Sequence, residues 1–296
     1  MKRHVVVMVT SSYPRFPGDA VGTFMEPIAH GVAARGHEVH IVAPWHPLVA
    51  RKAREGGVLF HFYRYAPHSR LNVFGYAGAL RADVALKGSA LLAAPFALAA
   101  GLLAARRVAR RYGATVMHGH WVVPGGATAW AARTDLPLVV SLHGSDVYVA
   151  ERHVAARLVA RRVFAAAGWV TACSDDLLRR ARHLGAASET SEVVPYGVDA
   201  QRFAPDEGAP RALRTRFGLA DEPIVVAVGR MVRKKGFDYL LDAIARLTAT
   251  GRHLRLILAG GGDLEKALRE RADASGAAPF VTFAGTVPHH EIPQLL

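Results

Sequence analysis

Short apolar runs alternate along this chain with stretches whose apolar residues recur every three or four positions. Val5–Val9 is an uninterrupted apolar run, Ser11–Gly22 is a loop with two prolines and two glycines, and Phe24–Arg35 has helical spacing closed by Gly36. Glu38–Ala43, "EVHIVA", reads as the next strand. Strand, helix, strand in that order predicts a βαβ unit and hence a parallel sheet. Further strands are expected at Thr115–His118, Leu138–Leu142 and Trp169–Ala172. The last leads into "CSDDLLRRARHL", where Ser174 can cap a helix and Asp175 and Asp176 suit its first turn.

"VVPYGVDAQRFAP" (193–205) reads as a linker, after which the pattern restarts. Strands are expected at Ile224–Val228, Leu254–Leu258 and Phe280–Ala284, with helices over 237–249 and 263–272. "EIPQLL" at the end reads as the opening of a helix. The architecture is α/β: two Rossmann-like units in series, residues 1–195 and 196–296, the second with three strands and incomplete.

At 296 residues and 51% hydrophobic, the chain can form a full core. One cysteine, Cys173, excludes a disulfide framework. The opening MKRHVVVMVT has too short an apolar run, and no small-residue cleavage site, for a secretion signal. The net charge of +13 is uneven: residues 1–195 hold 23 Lys+Arg against 12 Asp+Glu, and residues 196–296 hold 14 against 12. A basic first half suits an anionic membrane or a phosphate-bearing substrate, although arginine-rich composition also follows from a GC-rich genome. Zinc-finger spacing and an aromatic-basic strand pattern are absent, which argues against nucleic acid.

Residues 88–105 run for 18 positions without a charge, the length at which a membrane span is considered. The run is mostly alanine with a central Pro95, so its transfer energy is weak; a buried helix and a membrane-surface helix are the other readings. Arg106, Arg107, Arg110 and Arg111 follow as a basic flank, suited to anionic headgroups or to a helix end.

Four places carry candidate chemistry. "VAVGRMVRKKGFDYL" (226–240) delivers Arg230 and Lys235 to the carboxyl end of a strand and the mouth of a helix, where an anion, best a diphosphate, finds free N–H groups and cations. A solvated basic loop is the alternative. "LILAGGGDLE" (256–265) has three glycines after a strand but no third fingerprint glycine, because Glu265 stands there; it permits a close ligand approach to the backbone. Gly18 and Gly22 lie in the loop after the first strand. His118, His120 and His143 stand at ends of parallel strands, without the carboxylates or thiolates of a metal site.

The ordered set of motifs resembles the retaining glycosyltransferases of family 4, of GT-B fold. "YPRFPGDAVGTF", "RGHEVHIVAP", "HGHWVVPGG", "SLHGSD", "VVPYGVDAQRFAP", "VAVGRMVRKKGFDYLLDA", "LILAGGGDLE" and "VTFAGTVPHHEIPQLL" follow that family's order over nearly the full chain. The resemblance implies two Rossmann-like domains facing a cleft and transfer of a sugar from a nucleotide-diphosphate donor, without metal or cofactor, to an acceptor. A lipid-linked or cell-surface saccharide acceptor fits best, in the cytoplasm at the inner face of a bacterial plasma membrane. It also implies roles for matching residues: Arg230 and Lys235 on the donor diphosphate, Gly22 near the phosphates, and Gly260, Gly261 and Val287 at the base and ribose. His143 would stand beside the donor sugar as the candidate catalytic residue, and His120 on the acceptor side. The family's E-x7-E segment would follow "EIPQLL", so the resemblance implies a fragment that is weak or inactive by itself, with an exposed sheet edge that lowers solubility. A catalytically dead, membrane-associated binding protein on the same fold is the alternative; a nicotinamide oxidoreductase fails for want of G-x-G-x-x-G.

Overall fold

In a computed structural model the chain divides into two units, Met1–Gly197 and Val198–Leu296. The structure describes residues 2–19, 21–68, 71–72, 75–76, 80–81, 85–86 and 88–296; the side chains of 80–81, 85–86 and 88–91, the start of the uncharged run among them, lie outside that description.

The first unit runs β1 (Val5–Val9), α1 (Met25–Ala34), β2 (Glu38–Pro44), β3 (Arg54–Glu55), β4 (Val58–Tyr63), β5 (Leu80–Arg81), β6 (Ala85–Leu86), α2 (Gly88–Tyr112) and β7 (Val116–His120). It continues through α3 (Ala127–Ala132), β8 (Leu138–Leu142), α4 (Ser145–Arg152), α5 (Val154–Ala166), β9 (Trp169–Ala172), α6 (Asp175–His183) and β10 (Ser191–Val193). Eight strands form one sheet in the order β10-β9-β8-β7-β1-β2-β4-β3, parallel except for the β3–β4 pair. β1 lies between β2 and β7, with Val7 opposite His40 on one side and Met117 on the other. Chain order therefore reverses between β1 and β7, the place where α/β sheets open a ligand crevice at their carboxyl edge.

The apolar run of β1 reflects burial on both faces. Met8 packs with Met25, Ala29 and Ile41 beneath α1, while Val7 and Val9 pack with Met117, Val140 and the helices of the other face. Ser174 Oγ accepts from the Leu177 amide (3.3 Å) and caps α6 as expected. Gly36, at φ 87°, ends α1 with its amide donating to Ala33. β3, β4 and β10 lie outside the strands read from the sequence, and they extend the sheet at its two edges.

α2 lies on the sheet with Ala105, Val108 and Ala109 in the core. Its outer face is apolar and open: Leu92, Phe96 and Leu103 are 79%, 67% and 61% exposed. The stretch Leu92–Tyr112 has mean hydropathy 1.4 and, among the described residues, is long and apolar enough to cross a membrane. Arg107, Arg110 and Arg111 are exposed, whereas Arg106 turns inward and donates to the Ala131 carbonyl (2.9 Å), so the basic flank lacks one of its four expected members.

The second unit contains α7 (Ala209–Phe217), β11 (Ile224–Val228), α8 (Phe237–Ala249), β12 (Arg255–Ala259), α9 (Glu265–Ala274) and β13 (Val281–Gly285). Its three strands are parallel in the order β11-β12-β13. His289–Gln294 is a 3-10 helix. The loops after β11 and β12 are zipped together by backbone: Met231 N–H donates to Gly261 O (2.9 Å), and Leu264 N–H to Met231 O (3.0 Å). Gly260 has φ 136°, and a Cβ there would overlap the Gly229 carbonyl oxygen. Gly260→Ala is therefore expected to destabilise this unit by about 2–5 kcal/mol, through overlap and backbone strain together. Urea unfolding followed by amide hydrogen exchange should show the loss in the second unit and unchanged protection in the first.

Candidate active site

Three loops meet at the carboxyl edge of the first unit's sheet, following β1, β7 and β8. The first is closed on itself. Asp19, nearly without solvent contact, accepts from Arg15 Nε (2.6 Å), Arg15 Nη2 (2.8 Å) and the Arg15 amide (2.9 Å). Burial works against its negative charge, yet the Arg15 bonds hold the carboxyl below its ordinary value. Gly22 has φ 68°, and a Cβ would lie 3.2 Å from Ser12 Oγ, so glycine lets the end of the loop fold over its beginning.

The second loop, Trp121–Gly126, turns sharply back onto β7. Trp121 takes a left-handed backbone (φ 62°), and a Cβ at Gly125 would overlap the His120 carbonyl oxygen. The third loop begins at His143 and passes Gly144 (φ 115°) into α4. Asp146, at 2% exposure, joins these two loops. One oxygen accepts from the Val122 amide (2.8 Å); the other accepts from the amides of Gly144 (3.0 Å) and His143 (3.4 Å).

His143 lies where the loops converge. Its Nε2 meets His120 Nδ1 at 3.1 Å, and its Nδ1 meets the Tyr196 hydroxyl. Phe24 (4.7 Å between ring centres) and Trp121 (4.7 Å, edge-on) wall the imidazole, and Phe24 also stacks on Tyr196 (4.9 Å). Burial, reinforced by the neighbouring His118, pushes the His143 pKa down to about 3. The ring is thus neutral near pH 7 and acts as a hydrogen-bonding group, not as a proton donor of imidazolium type. His118 follows the same logic, pushed down to about 4 by burial, with its Nε2 at 2.8 Å from Ser141 Oγ.

The structure thus brings His118, His120, His143 and Gly22 to one edge of the first unit. His120, expected on the acceptor side, has no exposed surface and lies behind His143. In the second unit Arg230 and Lys235 are exposed between β11 and α8, and Gly236 (φ 66°) opens the helix without a side-chain cap. The close approaches at Gly260 and Gly262 are to the backbone of Gly229 and Met231, whereas a Cβ at Gly261 would meet the Thr286 hydroxyl (3.3 Å). Val287 turns its side chain into a core cluster with Leu213, Ile257 and Leu295, which leaves its backbone for any ligand. Among the described residues no group of three or more His, Cys, Asp or Glu is arranged to hold a metal ion.

Asp146, Tyr196, Phe24 and Trp121 are the participants that the sequence reading passed over. Asp146 closes the motif "SLHGSD", Tyr196 lies inside "VVPYGVD", Phe24 ends "YPRFPGDAVGTF" and Trp121 lies in "HGHWVVPGG", so all four stood within quoted segments.

A reversed strand order with loops gathered at its carboxyl edge, followed by a second parallel unit, defines an α/β protein of the two-Rossmann type. The Glycosyltransferase Family 4 model matches residues 21–202, and the Glycosyl transferases group 1 model matches residues 212–296. The chain belongs to glycosyltransferase family 4. It is 36% identical over 156 residues to the GDP-mannose-dependent alpha-(1-6)-phosphatidylinositol monomannoside mannosyltransferase of Mycolicibacterium smegmatis, covering 53% of this chain and 41% of that one. It is 31% identical over 212 residues to the alpha-D-kanosaminyltransferase of Streptomyces kanamyceticus, covering 64% and 53%. The chain thus spans about half the length of the curated relatives it matches. The solved structure of Anabaena HepE in complex with UDP and glucose superposes with a TM-score of 0.70 at 19% identity, over 99% of this chain and 71% of that one, and the shared fold is GT-B.

The depressed histidines make the fold acid-sensitive. His143 (about 3), His118 (about 4) and His61 (about 4, through burial and nearby His40) are neutral when folded, whereas unfolded histidine titrates near 6.5. Their contribution is present above the unfolded value and lost as pH falls toward the folded ones. The melting temperature is expected to drop between about pH 6.5 and 4, before most carboxylates titrate. A level profile from about pH 7 to 5 would show that these rings are free to protonate in the fold.

Proposed function

We propose that the chain forms part of a retaining, metal-independent glycosyltransferase that moves a sugar from a nucleotide-diphosphate donor to an acceptor. The observation that carries this reading is the His143 imidazole, held neutral at the carboxyl edge of the sheet where strand order reverses. A neutral ring beside a sugar supplies hydrogen bonds without protonating the glycosidic oxygen. Charge building on the leaving diphosphate is met by Arg230 and Lys235 with the open N-terminus of α8. No protein nucleophile is assigned: the acceptor oxygen bonds to the anomeric carbon on the face from which the diphosphate departs, and a phosphate oxygen receives the acceptor proton.

A lipid-linked or cell-surface saccharide acceptor is supported by the outer face of α2, with Leu92, Phe96 and Leu103 open to solvent and Arg107 and Arg110 continuing beside them. α2 packs on α3 and α3 on α5, and α5 likewise exposes Val154 and Leu158 next to Arg161 and Arg162. Apolar residues flanked by arginines suit the headgroup region of an anionic bilayer at the cytoplasmic side. The mannosyltransferase relative is named for a phosphatidylinositol acceptor, which agrees with this choice.

Calorimetric titration of the whole enzyme with UDP-, GDP- and ADP-sugars should give saturable binding of one class, lost in Arg230→Ala. In the whole enzyme, Lys235→Ala should lower turnover by about 2–4 kcal/mol of transition-state stabilisation, as for removal of one strong charge donor. Turnover should survive a chelator, and product NMR should show the donor's anomeric configuration. Absence of binding for every class would reject the donor assignment. Separately, flotation with vesicles containing phosphatidylglycerol should recover the chain, and Phe96→Glu with Leu103→Glu should abolish recovery. Equal recovery of that variant, or of the chain with neutral vesicles, would remove the membrane assignment.

A further inference from the structure

Both nitrogens of His143 are engaged, and this fixes more than the position of the ring. A neutral imidazole has one N–H and one lone pair, so the contacts to Tyr196 and His120 must run in a single direction. In one arrangement Tyr196 donates to His143 Nδ1, His143 donates from Nε2 to His120 Nδ1, and His120 carries its own proton on Nε2. In the other, His120 donates from Nδ1 to His143 Nε2, His143 donates from Nδ1 to the Tyr196 oxygen, and His120 Nε2 is a bare lone pair.

The surroundings of His120 decide between them. Its Nε2 is buried and finds no hydrogen-bond partner among the described residues. The adjacent His118 ring, 4.1 Å away between centres, has its own Nε2 engaged with Ser141. A buried N–H with no acceptor is rarer in folded proteins than an unfilled lone pair. At the far end, the Tyr196 side chain is open to solvent, so its hydroxyl can accept from His143 and turn its own proton outward to water. The second arrangement leaves no orphaned donor anywhere along the chain of contacts.

We propose that His120 is a positioning residue: by donating from Nδ1 it holds His143 in the Nδ1–H tautomer, so that the nitrogen facing Tyr196 is a donor. Tyr196 is 44% exposed, and its oxygen stands where a sugar oxygen can take over that N–H. This last clause rests on the function proposed above; the tautomer assignment does not. A consequence for specificity is that His143 offers a proton and not a lone pair to its partner, so it is satisfied by any sugar oxygen in reach, ring or hydroxyl.

The test is two-bond 15N–1H correlation spectroscopy of the 296-residue chain at neutral pH, with His143 assigned by the loss of its signals in His143→Gln. The expected result is the Nδ1–H pattern for both His143 and His120, opposite to the Nε2–H form that free histidine favours in water. His120→Asn places an amide N–H close to the former Nδ1–H and should keep the His143 pattern. His120→Phe removes the donor and should return His143 to the Nε2–H form. An Nε2–H pattern for His143 in the unsubstituted chain overturns the proposal, as does an unchanged pattern in His120→Phe. If His120→Phe does not fold, the unsubstituted chain and His120→Asn still decide the question. The Nδ1–H pattern together with no response to nucleotide sugars supports the positioning role and counts only against the proposed function.

Discussion

Asp146 is a carboxyl group with almost no access to water and, among the described residues, no ion-pair partner. Backbone amides stabilise it instead: Val122 from the loop after β7, and Gly144 and His143 from the loop after β8. Burial raises its pKa and the amides oppose that rise, so its ionisation depends on the loops staying where they are. The loops depend on it equally, since each buried amide left without an acceptor costs about 1–3 kcal/mol. This mutual requirement fixes the distance between β7 and β8 at their ends. His120 and His143 meet because of it, and Trp121 is held edge-on to the imidazole.

Both units use glycine in one way at their strand ends. Side chains are removed so that two pieces of backbone can touch: Gly125 against the end of β7, and Gly260 and Gly262 against the loop after β11. The resulting loops are set by main-chain contact and anchored by buried side chains, Val122 in the first unit and Met231 in the second. For the second unit this assigns the glycine run of "LILAGGGDLE" a structural purpose, one that a phosphate-binding fingerprint does not require.

Much of this architecture was legible in the sequence because its strands are written as short, mostly apolar runs, whether buried as in β1 or half-buried as in β11. Val5–Val9, Leu138–Leu142, Trp169–Ala172 and Ile224–Val228 each coincide with an observed strand. β4 was not legible: "VLFHFY" lies near a sheet edge with most of its residues half-buried, and neither strict alternation nor continuous burial marks it. The site was legible as far as single residues at strand ends go. His143 could be named from its place after β8. Its partners could not, because the His120 contact depends on register between strands, and the Tyr196 contact spans 53 positions. Arg106 shows the same limit in reverse: a residue that reads as part of a surface flank is turned toward α3 by packing that no local pattern records.

The position of Trp121 has an optical consequence. It is one of four tryptophans in the chain, and its indole lies edge-on to His143 with ring centres 4.7 Å apart. Indole emission is sensitive to the charge and contacts of a neighbouring imidazole, and a protonated ring quenches it efficiently. The loop after β7 therefore carries a built-in fluorophore beside the His143 ring. Occupancy, displacement of Tyr196 and protonation of His143 would all be visible in one emission band without any added label.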